Sequence, residues 1–167
     1  MILPALLVML GAADAPAGGA FREVASLHGG YELLFRETTA VLDVMPTRWL
    51  ILEVSIGHDF IHSGSSFPTE DDGSISVRAG FTVSRRHGPV TARASILLGG
   101  RSARWYYFGS AAGISLAVGW DLTAWLLPGV GLGVHFLMGD SMIGTPAMII
   151  GFELRASAGL SIAIPDS

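Results

Sequence analysis

GFELRASAGLSIAI, residues 151–164, alternates from end to end. Phe152, Leu154, Ala156, Ala158, Leu160, Ile162 and Ile164 share one parity. Gly151, Glu153, Arg155, Ser157, Gly159, Ser161 and Ala163 take the other. A period of two over this length is the signature of a strand. One face is wholly apolar, and the other is small apart from one Glu and one Arg. Whether the apolar face meets a protein core or a lipid bilayer decides the fold.

The same pattern recurs upstream. In SISVRAGFTVSRR (74–86), Ile75, Val77, Ala79, Phe81 and Val83 oppose Ser76, Arg78, Gly80, Thr82 and Ser84. In VTARASILLGG (90–100), Val90, Ala92, Ala94, Ile96 and Leu98 oppose Thr91, Arg93 and Ser95, and the tight RHGP between these two segments predicts a hairpin. RWLILEVSIGHDF (48–60), AAGISLAVGWDL (111–122) and GVGLGVHFLM (129–138) alternate likewise, with Glu53, Asp59, Asp121 and His135 on their polar faces. SLHGGYELLFR (26–36) alternates less cleanly, placing His28, Gly30, Glu32 and Arg36 together.

Composition points to lipid. Charged residues are 14% of the 167, where a soluble domain carries about 25%. Mean hydropathy is +0.53, yet no run of about 20 residues is clean enough for a membrane helix. The polar faces hold mostly Gly, Ser, Ala and Thr, whereas a water-facing exterior carries many charges of both signs. The alternating segments run to 10–14 residues, and a tilted membrane strand needs about 9–11. A closed barrel leaves no backbone unpaired in lipid. The absence of Cys excludes disulfides and thiolate metal sites. The formal charge of −4 gives no reason to expect a nucleic-acid partner. Lys, Asn and Gln are all missing, so Arg in place of Lys reads as codon bias and not as phosphate recognition.

The connections also alternate in length. SGSSFPTEDDG (63–73), SARWYYFG (102–109) and GDSMIGTP (139–146) are long, while HGP and DLTA (121–124) are short. Outer-membrane barrels show this asymmetry, with long loops outside and short periplasmic turns. Parity makes residues 37–47 a periplasmic connection. An eighth strand is then expected within 18–28, folded back at Gly29-Gly30, or within 2–10. Residues 1–17 read as a secretory signal, with an apolar stretch at 2–10 and small-residue cleavage patterns, and 18–167 as the barrel domain.

Over residues 22–164 the chain resembles the small bacterial outer-membrane β-barrel superfamily of OmpA-like and OmpX-like barrels. The resemblance rests on the signal-like start, the period-two strands, the loop asymmetry, and GISLAVGWDLTAW, whose phrasing is similar to a strand-turn-strand of that class. The family usually closes its last strand on an aromatic residue; SIAIPDS has none there. The expected fold is therefore all-β, an antiparallel up-and-down transmembrane barrel of eight strands.

The expected lumen charges are Glu32, Arg36, Glu53, Asp59, Arg78, Arg93, Glu153 and Arg155, four acids against four Arg. Buried charges must pair, and an eight-stranded barrel is just filled by its side chains, so an ion-pair plug is expected and not a wide pore. Trp49, Trp105, Tyr106, Tyr107, Trp120 and Trp125 are expected in the aromatic belts at the bilayer interfaces. HDFIHSGSSFPTEDD (58–72) is the densest polar cluster. A hydrolase would use His62 as base and Ser63 or Ser65 as nucleophile. The match to outer-membrane lipid A deacylases fails, because Gly64 stands two places after His62 and no Asn follows.

These readings predict a Gram-negative outer-membrane protein with a structural or surface-interacting role. No enzymatic activity, cofactor or bound metal is expected. Its partners would be outer-membrane lipid and an envelope or extracellular molecule met through the loops, and it would be a monomer. Two alternatives stay open: a lipid-modifying hydrolase at 58–72, and a soluble lipocalin-like binder with its apolar face inward.

Overall fold

A computed structural model describes residues 21–33, 36–58, 73–105, 109–127, 129–143 and 152–165. The signal segment expected at 1–17 lies outside these residues. Eight strands run in chain order: β1 (Phe21–Glu32), β2 (Glu37–Val44), β3 (Leu50–His58), β4 (Gly73–His87), β5 (Val90–Trp105), β6 (Gly109–Leu127), β7 (Val130–Ile143) and β8 (Phe152–Pro165). Each pairs antiparallel with the next, and β1 pairs with β8 to close the barrel. Every strand thus has two partners, which removes the open edges a bilayer would not tolerate. Among the described residues no helix is long and apolar enough to cross a membrane.

The eighth strand lies at neither expected place. Residues 37–47 are not a connection, because ETTAVLDV forms β2. Glu37, Thr39, Val41 and Asp43 point inward, and Thr38, Ala40, Leu42 and Val44 point outward. The chain does not fold back at Gly29-Gly30. β1 runs straight through them, with Gly29 facing Ala40 on one side and Ala158 on the other. DLTA is likewise no turn. Asp121, Leu122, Thr123 and Ala124 lie within β6, paired to both β5 and β7. The β6–β7 connection comes later, at Gly129 (φ 85°), and the β4–β5 hairpin turns at Gly88 (φ 58°). Both need the left-handed backbone that glycine adopts without steric cost. The expected loops shrink accordingly: 102–105 belong to β5 and 139–143 to β7.

The first residue of β1 and the last of β8 stand at one end of the barrel, the turn end, with the connections at 45–49 and 88–89. At the other, the loop end, β1 hands over to β2, β3 to β4, β5 to β6 and β7 to β8.

The barrel is inverted relative to a soluble one. Phe81 is 67% exposed, Val134 62% and Ile162 54%, with Leu98, Leu116, Leu122 and Leu160 on the same outer wall. Among the described residues, the buried set holds more polar and charged side chains than apolar ones. A lipocalin-like binder needs the opposite arrangement, so that alternative is set aside. Water would not tolerate such a continuous apolar wall; lipid does.

Candidate functional site: the lumen

The inward side chains form two polar clusters with an apolar layer between them. Along β5 they run Arg93, Ser95, Leu97, Gly99 and Arg101 from turn end to loop end. Leu97 meets Ile51, Ala117, Leu137 and Met45 in a small buried apolar group. This layer sits in the lumen, where small residues and sparse charges were expected.

The loop-side cluster is held across the lumen from seven of the eight strands. Arg78 (β4) donates from Nη1 to Glu53 Oε1 (β3) at 2.7 Å, from Nε to Ser115 Oγ (β6) at 2.9 Å, and from Nη2 to Glu153 (β8). Arg155 (β8) donates from Nη2 to Glu53 Oε2 at 2.9 Å. Its Nη1 lies 3.5 Å from Glu153 Oε1. Arg101 (β5) reaches Glu37 Oε2 (β2) at 2.9 Å and Glu153 Oε2 at 3.2 Å. Ser74 Oγ (β4) also donates to Glu37, at 2.5 Å. Glu32 (β1) accepts the Leu154 backbone N–H at 3.2 Å. Gly57 makes the room for this: a Cβ there would stand 2.5 Å from Glu37 Oε2 and 2.7 Å from Ser74 Oγ.

The turn-side cluster centres on Arg93. Its Nη2 donates to Asp43 Oδ2 at 3.0 Å, its Nε to Asp121, and its Nη1 lies 3.9 Å from Glu23 Oε1. Each Asp also holds a histidine. Asp43 Oδ2 is 3.2 Å from His28 Nε2, and Asp121 Oδ1 is 2.7 Å from His135 Nδ1. The two imidazoles stack with centroids 3.8 Å apart and planes within 9°. His28 can lie flat there because Gly159 opposes it; a Cβ on Gly159 would collide with the His28 backbone and Cβ.

Of the expected lumen charges, Glu32, Glu53, Arg78, Arg93, Glu153 and Arg155 are buried inside, and all but Arg93 stand in the loop-side cluster. Arg36 does not join them. It follows the end of β1, is exposed, and adopts φ 57° in the turn to β2, so the strand alternation no longer governs where it points. Asp59 lies outside the described residues. Sequence reasoning left out Glu37 and Asp43, because their strand was read as a connection. Asp121 was read at a turn and Arg101 beyond a strand end, so neither was counted. The alternation of ETTAVLDV was the available signal for the first two.

The aromatic residues divide. Trp49 is exposed at the turn end and stacks on Phe81 at 6.0 Å, a geometry suited to an interface belt. Trp120 sits within β6 against Phe136, their ring centroids 6.0 Å apart. Trp125 has inward parity: its Nε1 donates to buried Thr91 Oγ1 at 2.8 Å, and the Arg86 guanidinium lies 5.9 Å from its ring centroid. It caps the turn-end mouth, because a strand's alternation sends residue 125 to the same side as Thr123. The side chains of Trp105, Tyr106 and Tyr107 lie outside the described residues. So does the 58–72 cluster except His58, the last residue of β3.

The space left between the Arg93 cluster and the apolar layer is a cavity of about 10 Å³, lined by His28, Asp43, Leu97, Arg93 and His135 among others. That is room for roughly one water. Among the described residues the lumen is packed, with polar side chains bonded across it.

No protein-family model matches the sequence, and no curated protein matches it. Solved structures match in shape. Neisserial surface protein A is 13% identical, with 85% of this chain and 94% of that one covered, at a TM-score of 0.58. The N-terminal β-barrel domain of Pseudomonas aeruginosa OprF is 10% identical, with 86% and 100% covered, at 0.55. The chain therefore has the fold of the small eight-stranded outer-membrane barrels.

Proposed function

We propose that this protein resides in a bacterial outer membrane as a non-conducting monomeric barrel, and that it acts through the segments it presents at its loop end. The observation that carries this reading is the inverted barrel itself: a closed apolar wall around a lumen filled by polar side chains that bond across it. A wall of that kind needs lipid, and a lumen of that kind passes no solute. The role left to such a molecule is to anchor and display, or to brace the membrane. Its partners are outer-membrane lipid around the wall and an envelope or extracellular molecule at the loops. The fold shared with Neisserial surface protein A supports the architecture of this reading.

Two measurements test it together. Membrane fractionation should place the protein in the outer membrane, extractable only with detergent. The purified barrel in planar bilayers should give no discrete conductance steps. Recovery in the soluble fraction, or a stable ion-conducting level, would contradict the proposal.

A further inference from the structure

In the loop-side cluster Glu32, Glu37, Glu53 and Glu153 face Arg78, Arg101 and Arg155, one positive charge short of balance. The turn-side cluster falls further short. Glu23, Asp43 and Asp121 face one guanidinium, Arg93, so with all three acids ionised and both imidazoles neutral the cluster is two positive charges short. Buried charge of that size calls for a counter-charge.

The hydrogen bonds show where it would sit. Ser157 Oγ stands 3.2 Å from the His135 carbonyl and 2.9 Å from His28 Nδ1; when it donates to the carbonyl it accepts from Nδ1. In that tautomer the bare Nε2 of neutral His28 faces the Asp43 carboxylate at 3.2 Å, lone pair against lone pair. His135 repeats the logic. Its Nδ1–H is directed at Asp121, which leaves Nε2 as the lone-pair nitrogen. That atom and Asp43 Oδ1 are buried without a hydrogen-bond partner, on residues that are 3% and 2% exposed. Protonating both histidines would supply the two charges, but would set two cations face to face at 3.8 Å. A single divalent ion supplies both charges and gives the bare nitrogens and the free oxygen a common partner.

We propose that His28, Asp43 and His135 form a binding site for a first-row divalent metal ion of the zinc, cobalt, nickel or copper type. One donor atom from each lies within 4.8 Å of the others. Two imidazoles and a carboxylate suit such ions, whereas Mg²⁺ and Ca²⁺ take oxygen cages. The outer partners are those such sites use: Asp121 on the distal nitrogen of His135 and Ser157 on that of His28. With ligand bonds of about 2.0–2.2 Å the donors must draw together by roughly 1 Å, and one stacked ring must turn so that both lone pairs converge. Gly133 leaves space for that turn, since a Cβ there would stand 3.0 Å from His135 Nε2.

The test uses the full-length barrel refolded in detergent, with Co²⁺ and Zn²⁺ as probes. One equivalent of Co²⁺ should bind, show d–d absorption and be displaced by Zn²⁺. H28Q/H135Q should abolish this, and Asp121→Asn should weaken it about 10- to 100-fold. Should those variants fail to fold, the wild-type barrel still decides. With histidine-labelled protein, Zn²⁺ should move the ring signals of His28 and His135, identified by removing His58, His62 and His87 in turn. No stoichiometric binding below about 100 μM, retention of binding in folded H28Q/H135Q, or shifts confined to His58 and His62 would each overturn the proposal. The last two results would put the ion on the acidic 58–72 segment.

Discussion

Arg78 shows how single residues hold this barrel together. Its guanidinium meets Glu53, Glu153 and Ser115 and is 1% exposed. Removing one member of a buried ion pair strands the others, at a cost of about 3–5 kcal/mol. Arg78→Leu should therefore lower the unfolding free energy of the refolded barrel, read by urea titration, by that amount. Removing Glu53 as well should recover part of the loss in a double-mutant cycle; additive losses would mean that the two do not interact. Six of the eight charges expected in the lumen could be read from their parity alone. Arg36 could not, because parity ends where the strand ends. The inward Leu97, Ile51 and Leu137 were not anticipated either. An apolar residue on a mostly polar face gives no local sign that it has partners of the same kind across the barrel.

Among the elements, β2 and β6 separate what local pattern can reveal from what needs the partner strand. ETTAVLDV is only eight residues long and its outward face opens on Thr, so it resembles a connection. Its inward Glu37 and Asp43 find Arg101 and Arg93 only across the lumen. WDLTAW carries turn-forming residues in the middle of β6, and nothing nearby shows that Asp121 is held by Arg93 on β5. The long alternations of β4, β5 and β8 were legible because both faces are unambiguous over many residues.

The two faces also make opposite demands on substitutions. Leu116, 50% exposed in the middle of β6, faces lipid, so Leu116→Arg should destabilise the folded barrel by about 2–4 kcal/mol in bilayer-based unfolding measurements. Gly159→Val should also destabilise it, by driving His28 off the wall of β8. Its folding yield, read by heat-modifiable gel mobility, should drop well below that of wild type. Unchanged folding of Gly159→Val would mean that His28 is not packed flat against that strand.

For the molecule as a whole, the central claim is that the apolar wall faces lipid and the polar faces meet inside. The absence of Cys makes this directly measurable. Single cysteines placed in turn at the even positions 154–162 and at the odd positions 157, 161 and 163 along β8 can carry spin labels in the barrel reconstituted in liposomes. At even positions, from 154 to 162, collisions with dissolved oxygen should be frequent and collisions with a water-soluble nickel chelate rare. At odd positions, where Ser157 and Ser161 are buried, both should be rare. An alternation of that phase in oxygen accessibility is the predicted result. Even positions shielded from oxygen, with odd positions open to the nickel chelate, would contradict the account.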